Sequence, residues 1–339
     1  MPYQPFCSTE IMFSNKENLK RRLLTIEGNT VLIMSGSAAN RWELNEFIEN
    51  MASKLDNSDS EFVWIDTVAS NPTQKDLVDA LRLIGNFVPD TIIAIGGGSA
   101  IDLSKGISTF AKDPNREDLD YIIESIKKKS YTNNTFTDII AVPTTSGTGS
   151  EVTQWATVWD KDSKAKYSLD NPSLQPMLAI IVPELTMSLS PFMTISTGLD
   201  AMCQAIEAYW SKHTTPIVQE IAYRAVEIIV KNLKDAVEKP DNLETRERLA
   251  RASVLAGLAF AKTRTTACHS ISYPLTMLHN IPHGIAASIT LDPVAKINKG
   301  HFPNDEILFN IFQRHGGIKT WMDSVCMGVF DMRLSYFGV

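Results

Sequence analysis

Asp90-Thr91-Ile92-Ile93-Ala94-Ile95-Gly96-Gly97-Gly98-Ser99 decides the fold. The apolar, partly β-branched run Asp90 to Ile95 reads as a buried strand, and Ala100 to Phe110 beyond the glycines reads as a helix. Glycines at a strand-to-helix turn let the backbone approach a pyrophosphate, whose charge the helix N-terminus favours. Three consecutive glycines depart from Gly-x-Gly-x-x-Gly, so the turn also reads as a plain glycine turn.

The same alternation continues on either side. Residues 1–30 are mixed, with a Lys-, Arg- and Leu-rich helix over Asn15 to Ile26. Thr30 to Met34 is a strand ending in the turn Ser35-Gly36-Ser37; an amphipathic helix follows over Arg41 to Leu55, then a strand over Phe62 to Ile65. Thr73 reads as the N-cap of a helix over Gln74 to Ile84. Thr137 to Val142 is another buried strand, leading into Pro143-Thr144-Thr145-Ser146-Gly147-Thr148-Gly149-Ser150-Glu151. These hydroxyls and small residues suit a ribose, an adenine or a phosphate, and the close frame of Val142 and Val152 argues against a flexible linker. Lys166 falls between expected strands, and Leu178 to Val182 is a further one. Strands alternating with helices predict a mainly parallel sheet covered on both faces. Beyond Thr194 helical patterns take over: Gly198 to Ser211, Pro216 to Val237 and Leu243 to Lys262. The expectation is an α/β dinucleotide-binding domain over residues 1–185 and an all-α, metal-binding domain over 186–339.

The second half carries its own chemistry in Gly198 to Glu207. Asp200 and Gln204 are four residues apart and emerge on one helix face. Downstream stand His269, in Ala267-Cys268-His269-Ser270, and His283, in Ile281-Pro282-His283-Gly284. Two imidazoles and a carboxylate suit an open divalent-metal site with room for a substrate oxygen. Alone, each residue reads as a solvated helix face or a core histidine; together, beside the glycine turn, they favour the metal.

Composition narrows the class. The chain of 339 residues is long enough for two sizeable cores. A net charge of −7 argues against nucleic acid as the main partner. No apolar run is long enough to span a bilayer, and the first residues show no basic patch followed by an apolar core, so a soluble intracellular protein is expected. Cys7, Cys203, Cys268 and Cys326 are widely spaced and read as reduced thiols of a cytoplasmic protein.

Taken together, four blocks resemble the iron-containing, or group III, alcohol dehydrogenase family. Gly96 to Gly106 is similar to its pyrophosphate loop, Pro143 to Glu151 to its second cofactor loop, Gly198 to Glu207 to its first metal block, and His269 with Pro282-His283-Gly284 to its second. The resemblance implies a Rossmann-like domain followed by a helical one, and reversible hydride transfer between NADPH or NADH and a small aldehyde or alcohol, with iron or zinc as Lewis acid. It also implies a homodimer. Carried over residue by residue, it gives Asp200, Gln204, His269 and His283 to the metal. It gives Gly97, Gly98 and Ser99 to the pyrophosphate, Asp102 to the loop, Thr144, Thr145, Thr148 and Ser150 to the nucleotide, and Lys166 to the nicotinamide ribose.

The chain also departs from the family pattern. Gln204 stands where the family has His: it ligates through its amide oxygen, or the other three residues hold the metal alone. Tyr273 replaces a second family His, and reads either as a proton relay or as a packing aromatic. Gly36 stands where NAD-preferring members carry Asp, which leans toward NADPH or both cofactors. Lys262 and Arg264 precede His269 where relatives are small and apolar. They suit an anionic substrate tail, or simply a cationic helix C-terminus. With Gln204, this block is most similar to the phosphonoacetaldehyde reductase branch, so Tyr273, Arg264 and Lys262 are the candidate substrate-facing and catalytic residues. Relatives usually continue past Tyr336-Phe337-Gly338-Val339, so a shortened C-terminus is expected. Two other functions share the architecture: a dehydroquinate-synthase-like metal lyase with retained NAD, and a nucleotide-binding protein without catalysis.

Overall fold

The structure, a computed structural model, describes residues 6–58, 60–161 and 163–339. The described residues of Met1–Thr144 and Ser150–Leu185 form one unit, and Thr145–Gly149 with Thr186–Val339 a second.

The first unit is built on a parallel sheet in the order β1-β8-β5-β4-β2-β3. Its strands are β1 (Glu10–Phe13), β2 (Thr30–Ile33), β3 (Phe62–Ile65), β4 (Thr91–Gly96), β5 (Asp138–Pro143) and β8 (Leu178–Ile181). Between β5 and β8 lies an antiparallel hairpin of β6 (Trp155–Asp160) and β7 (Ala165–Asp170). The strands are continuous apolar runs because both faces are covered. Val31, Ile33 and Ile92 pack in one core with the helices α4 (Gln74–Ile84), α5 (Gly98–Phe110) and α6 (Leu119–Lys128). Leu32, Met34 and Ile93 enter the other core with α1 (Lys16–Leu23) and α3 (Asn45–Asp56). Successive side chains thus feed opposite faces, as the two-residue strand period requires.

Locally the chain departs from the expected elements at residues 35–45 and at Lys166. Ser35-Gly36-Ser37 is a helix start rather than a free turn: Ser35 caps α2 (Gly36–Arg41), its hydroxyl accepting from the Ala38 N–H. The helix expected from Arg41 is therefore split, and α3 begins at Asn45. Lys166 lies inside β7, opposite Trp159, rather than between strands.

The second unit is helical. Its long helices are α7 (Pro191–Trp210), α8 (Pro216–Glu238) and α9 (Leu243–Thr263), capped by Ser190, Thr215 and Asn242. They share one apolar core with α10 (Ala267–His279), α11 (His283–Ile289), α12 (Leu291–Asn298), α13 (Asp305–Gln313) and α14 (Ile318–Cys326). Thr145–Gly149 belongs here because its glycines admit close backbone approach. Gly149, at φ +61°, lies against Gly257 of α9, where a Cβ would come within 2.6 Å of the Gly257 Cα. The four cysteines are free thiols, and no helix among the described residues is long and apolar enough to cross a membrane.

Candidate metal centre and nucleotide-binding elements

Helix α7 brings Asp200 and Gln204 to one face, and both are buried. The start of α10 supplies buried His269, and the start of α11 supplies His283. Ligand atoms of Asp200, His269 and His283 all lie within 4.8 Å of one another. His269 Nε2 and Asp200 Oδ1 are 3.3 Å apart, yet neither makes a hydrogen bond. Gln204 Oε1 is equally buried and unpartnered. Its Nε2 donates to the Thr148 carbonyl at 3.4 Å, which orients the amide, since the opposite flip would set two oxygens face to face. Buried polar atoms left without hydrogen bonds are costly, and the clustered ligand atoms of Asp200, His269 and His283 suit a cation. The oxygen and nitrogen donors fit a divalent iron or zinc ion.

Both imidazoles are held at their other nitrogen. Glu207, one turn beyond Gln204 and wholly buried, meets His269 Nδ1. The Ser272 hydroxyl donates to the His269 carbonyl at 2.7 Å, so its oxygen accepts from His283 Nδ1, 3.3 Å away. Both imidazoles are thus engaged on their Nδ1 side, by Glu207 and by Ser272. Burial works against positive charge on His269, but Asp200 and Glu207 outweigh it and lift the ring's pKa to about 10. The pocket therefore favours positive charge, whether a proton or a metal ion. Tyr273 stacks on His283 with ring centroids 5.9 Å apart and planes 2° from parallel. Lys262 and Arg264 are exposed at the end of α9. Glu207 and Ser272 escaped the sequence reading; the three-residue step from Gln204 to Glu207 was the available signal.

In the first unit, β4 delivers Gly97 to the N-cap of α5, so Gly98 and Ser99 open a helix of 13 residues. The first amides of such a helix have no intrahelical partners and can meet a phosphate. Ser99 Oγ accepts from the Asn71 N–H at 3.2 Å. Asp102 turns inward: Oδ1 accepts from the Ser150 hydroxyl at 2.7 Å and Oδ2 from the Thr157 N–H at 2.9 Å. Wholly buried Lys105 donates to the carbonyls of Ser150, Thr153 and Trp155 at 2.7, 2.8 and 2.7 Å. Burial draws its pKa down to about 8 against the pull of Asp102 and Glu151, while burial raises Glu151 to about 7. Asp102 and Lys105 thus tie α5 to the segment after Ser150. Lys166 is close enough to Asp102 to stabilise its charge. Thr144 ends the first stretch of this unit, its N–H bonded to the Gly96 carbonyl at 2.9 Å, whereas Thr145 and Thr148 belong to the second.

Two family descriptions match nearly the whole chain: iron-containing alcohol dehydrogenase over residues 9–183, and the C-terminal part of the Fe-containing alcohol dehydrogenase family over residues 194–330. The chain belongs to the iron-containing alcohol dehydrogenase family. Among its relatives, a 1-propanol dehydrogenase of Citrobacter freundii is 34% identical over 241 residues, covering 71% of this chain and 60% of the relative. An NADPH-dependent butanol dehydrogenase of Clostridium saccharobutylicum is 32% identical over 272 residues, covering 79% of this chain and 67% of the relative. The chain thus spans about 60% of the length of the first of these. A sulfoacetaldehyde reductase from Bifidobacterium kashiwanohense, solved with NAD+, is 31% identical with a TM-score of 0.80, covering 96% of this chain and 84% of that one. The family uses NAD(P) and a divalent metal, and the metal-centre residues of this member fit that role.

Proposed function

We propose that this chain reduces a small, anionic aldehyde of the phosphonoacetaldehyde kind to its primary alcohol, using NADPH or NADH and a divalent metal. The observation that carries the reading is the set of three buried, unpartnered atoms, Asp200 Oδ1, Gln204 Oε1 and His269 Nε2, together with His283. When bound, the metal supplies Lewis acidity toward a substrate oxygen and the nicotinamide supplies hydride. The chain's own work is to hold these groups. Gly97, Gly98 and Ser99 offer backbone donors to the pyrophosphate, and Thr144, Thr145 and Thr148 hydroxyls to the nucleotide. Within the first unit Asp102 and Ser150 brace each other, and Lys166 is assigned to the ribose. Tyr273, stacked on His283, shields the imidazole on one face and is the candidate proton donor. We place this activity in the cytoplasm, in a homodimer.

The anionic preference rests on Lys262 and on the backbone of Arg264. Arg264 sits at φ +62° and ψ 172°, a region that favours glycine and costs an arginine about 1–3 kcal/mol. Its N–H donates to the Phe260 carbonyl at 2.7 Å, and its carbonyl accepts from the Thr263 hydroxyl at 3.0 Å, which hold the turn. Keeping a guanidinium at a glycine position is accounted for if the guanidinium grips a phosphonate, sulfonate or carboxylate. The anionic aldehyde named for the Bifidobacterium structure supports the same reading. Arg264→Gly is the test. It relaxes the backbone, so the melting temperature should rise, yet kcat/KM for an anionic aldehyde should fall about ten- to a hundredfold, the weight of one charged hydrogen bond. A neutral aldehyde of equal length should be nearly unaffected. Equal losses on both would assign Arg264 a structural role.

For the nucleotide, we read Gly36 as permitting a 2′-phosphate. A Cβ there would meet nothing within 4 Å, so Gly36→Asp adds a carboxylate without a clash. Two unit charges about 4 Å apart repel by roughly 1 kcal/mol in water and about 4 near a protein surface. NADPH binding should therefore weaken about tenfold or more while NADH binding changes little, as fluorescence titration of both would show. A parent chain that binds only NADH would refute the reading.

A further inference from the structure

Glu207 is a buried carboxylate to which the hydride transfer assigns no step. It lies seven residues after Asp200 and three after Gln204, on the same face of α7. Its Oε1 accepts from the Thr266 N–H at 3.0 Å, the Thr266 hydroxyl at 2.6 Å and the Cys268 N–H at 2.8 Å. Its Oε2 faces His269 Nδ1.

The directions of the three bonds to Oε1 are fixed. Two of the donors are backbone amides. The Thr266 hydroxyl must also donate, because its oxygen accepts from the Trp210 indole N–H at 3.0 Å. The Oε1 side must therefore be an acceptor. Oε2 meets His269 Nδ1; with a carboxylate oxygen accepting there, the neutral ring that can bind a metal carries its proton on Nδ1 and its lone pair on Nε2. Nε2 is also the atom 3.3 Å from Asp200 Oδ1 that makes no hydrogen bond.

We propose that Glu207 is a positioning residue that selects the Nδ1–H tautomer of His269 and so sets the affinity of the site for a divalent cation. This rests on the reading of Asp200, Gln204, His269 and His283 as metal ligands. Glutamine at 207 has the same length but one donating end. Its oxygen must serve the three donors, which turns its NH2 toward His269 Nδ1. That nitrogen then accepts, the ring proton moves to Nε2, and Nε2 can no longer ligate.

The test is Zn2+ binding to the full-length, metal-stripped protein by chelator competition. Glu207→Gln should weaken Zn2+ about 10- to 100-fold, the usual effect of losing a carboxylate behind a ligating histidine. Thr266→Val removes one donor to the same carboxylate but leaves the His269 contact, and should cost less than about threefold. His269→Ala should abolish tight binding. In the Zn2+-loaded parent labelled with 15N-histidine, His269 should show a strongly deshielded, slowly exchanging Nδ1–H. Full Zn2+ affinity in Glu207→Gln, with His269→Ala inactive in binding, would overturn the positioning role and leave the metal site standing. Full affinity in His269→Ala would overturn the metal site itself. A loss in Thr266→Val equal to that in Glu207→Gln would mean that Glu207 acts through the turn, which overturns the tautomer mechanism. Should Glu207→Gln fail to fold, the parent spectrum decides alone: an unprotonated Nδ1 on His269 refutes the proposal.

Discussion

His269→Ala and His283→Ala are each expected to abolish both bound metal and turnover while leaving the protein folded. Each removes one imidazole from a group whose ligand atoms lie within 4.8 Å of one another. His269 is the more exposing loss, because Asp200 and Glu207 flank it on its two nitrogens, at 3.3 Å for Asp200. Without the ring, two buried carboxylates would face each other unscreened, and such groups take up protons instead. The variant should therefore lose a ligand, while the two carboxylates left behind take up protons in competition with the metal. Elemental analysis, with circular dichroism as the check on folding, reads both effects. Stoichiometric metal in folded His269→Ala would remove this residue from the site.

Gly284→Ala should be nearly as damaging, by a different route. Gly284 follows His283 at the start of α11, and a Cβ there would lie 2.0 Å from the Ser196 carbonyl oxygen and 2.9 Å from the Asp200 Cβ. Real side chains do not approach that closely, and the obstacle is backbone of α7, which cannot rotate aside. Forcing a methyl into a packed contact costs about 1–3 kcal/mol, sometimes more. The cheapest relief is to move the start of α11 away from α7, carrying His283 away from Asp200. The expected result is a lowered melting temperature together with weaker metal binding. An unchanged melting temperature and full metal content would contradict this packing.

How far the sequence announced these features depends on where each signal lies. β2, β4, β5 and β8 were legible because a sheet covered on both faces demands continuous apolar runs. β1 was not: it is four residues long, its ends Glu10 and Phe13 are exposed, and only its pairing with β8 defines it. The hairpin strand Trp155–Asp160 was missed, since its order comes from packing against α5 and β7 rather than from local pattern; helix α6 was missed although Asp118 caps it and Ile122 and Ile126 mark its buried stripe. Asp200, Gln204, His269 and His283 stood out because their side-chain types are unusual on an apolar helix or beside a Pro-His-Gly turn. Glu207 did not, since a glutamate two turns along a helix resembles a solvated one. Its meaning lies in the donors of residues 266–269, some sixty positions away. Lys105 was hidden likewise: only the carbonyls of Ser150, Thr153 and Trp155 reveal a lysine with no access to water.

The packing of Thr145–Gly149 on α7 and α9 makes the helical unit discontinuous in sequence. Five residues made early in synthesis find their places only once α9 has emerged far downstream, so this contact is a late and non-local one, of the kind that slows folding. A fragment cut at residue 186 would carry every proposed metal ligand, yet it would leave the Gln204 amide without the Thr148 carbonyl that aims it. For this chain, the scissors that separate two units by sequence would not separate them by structure.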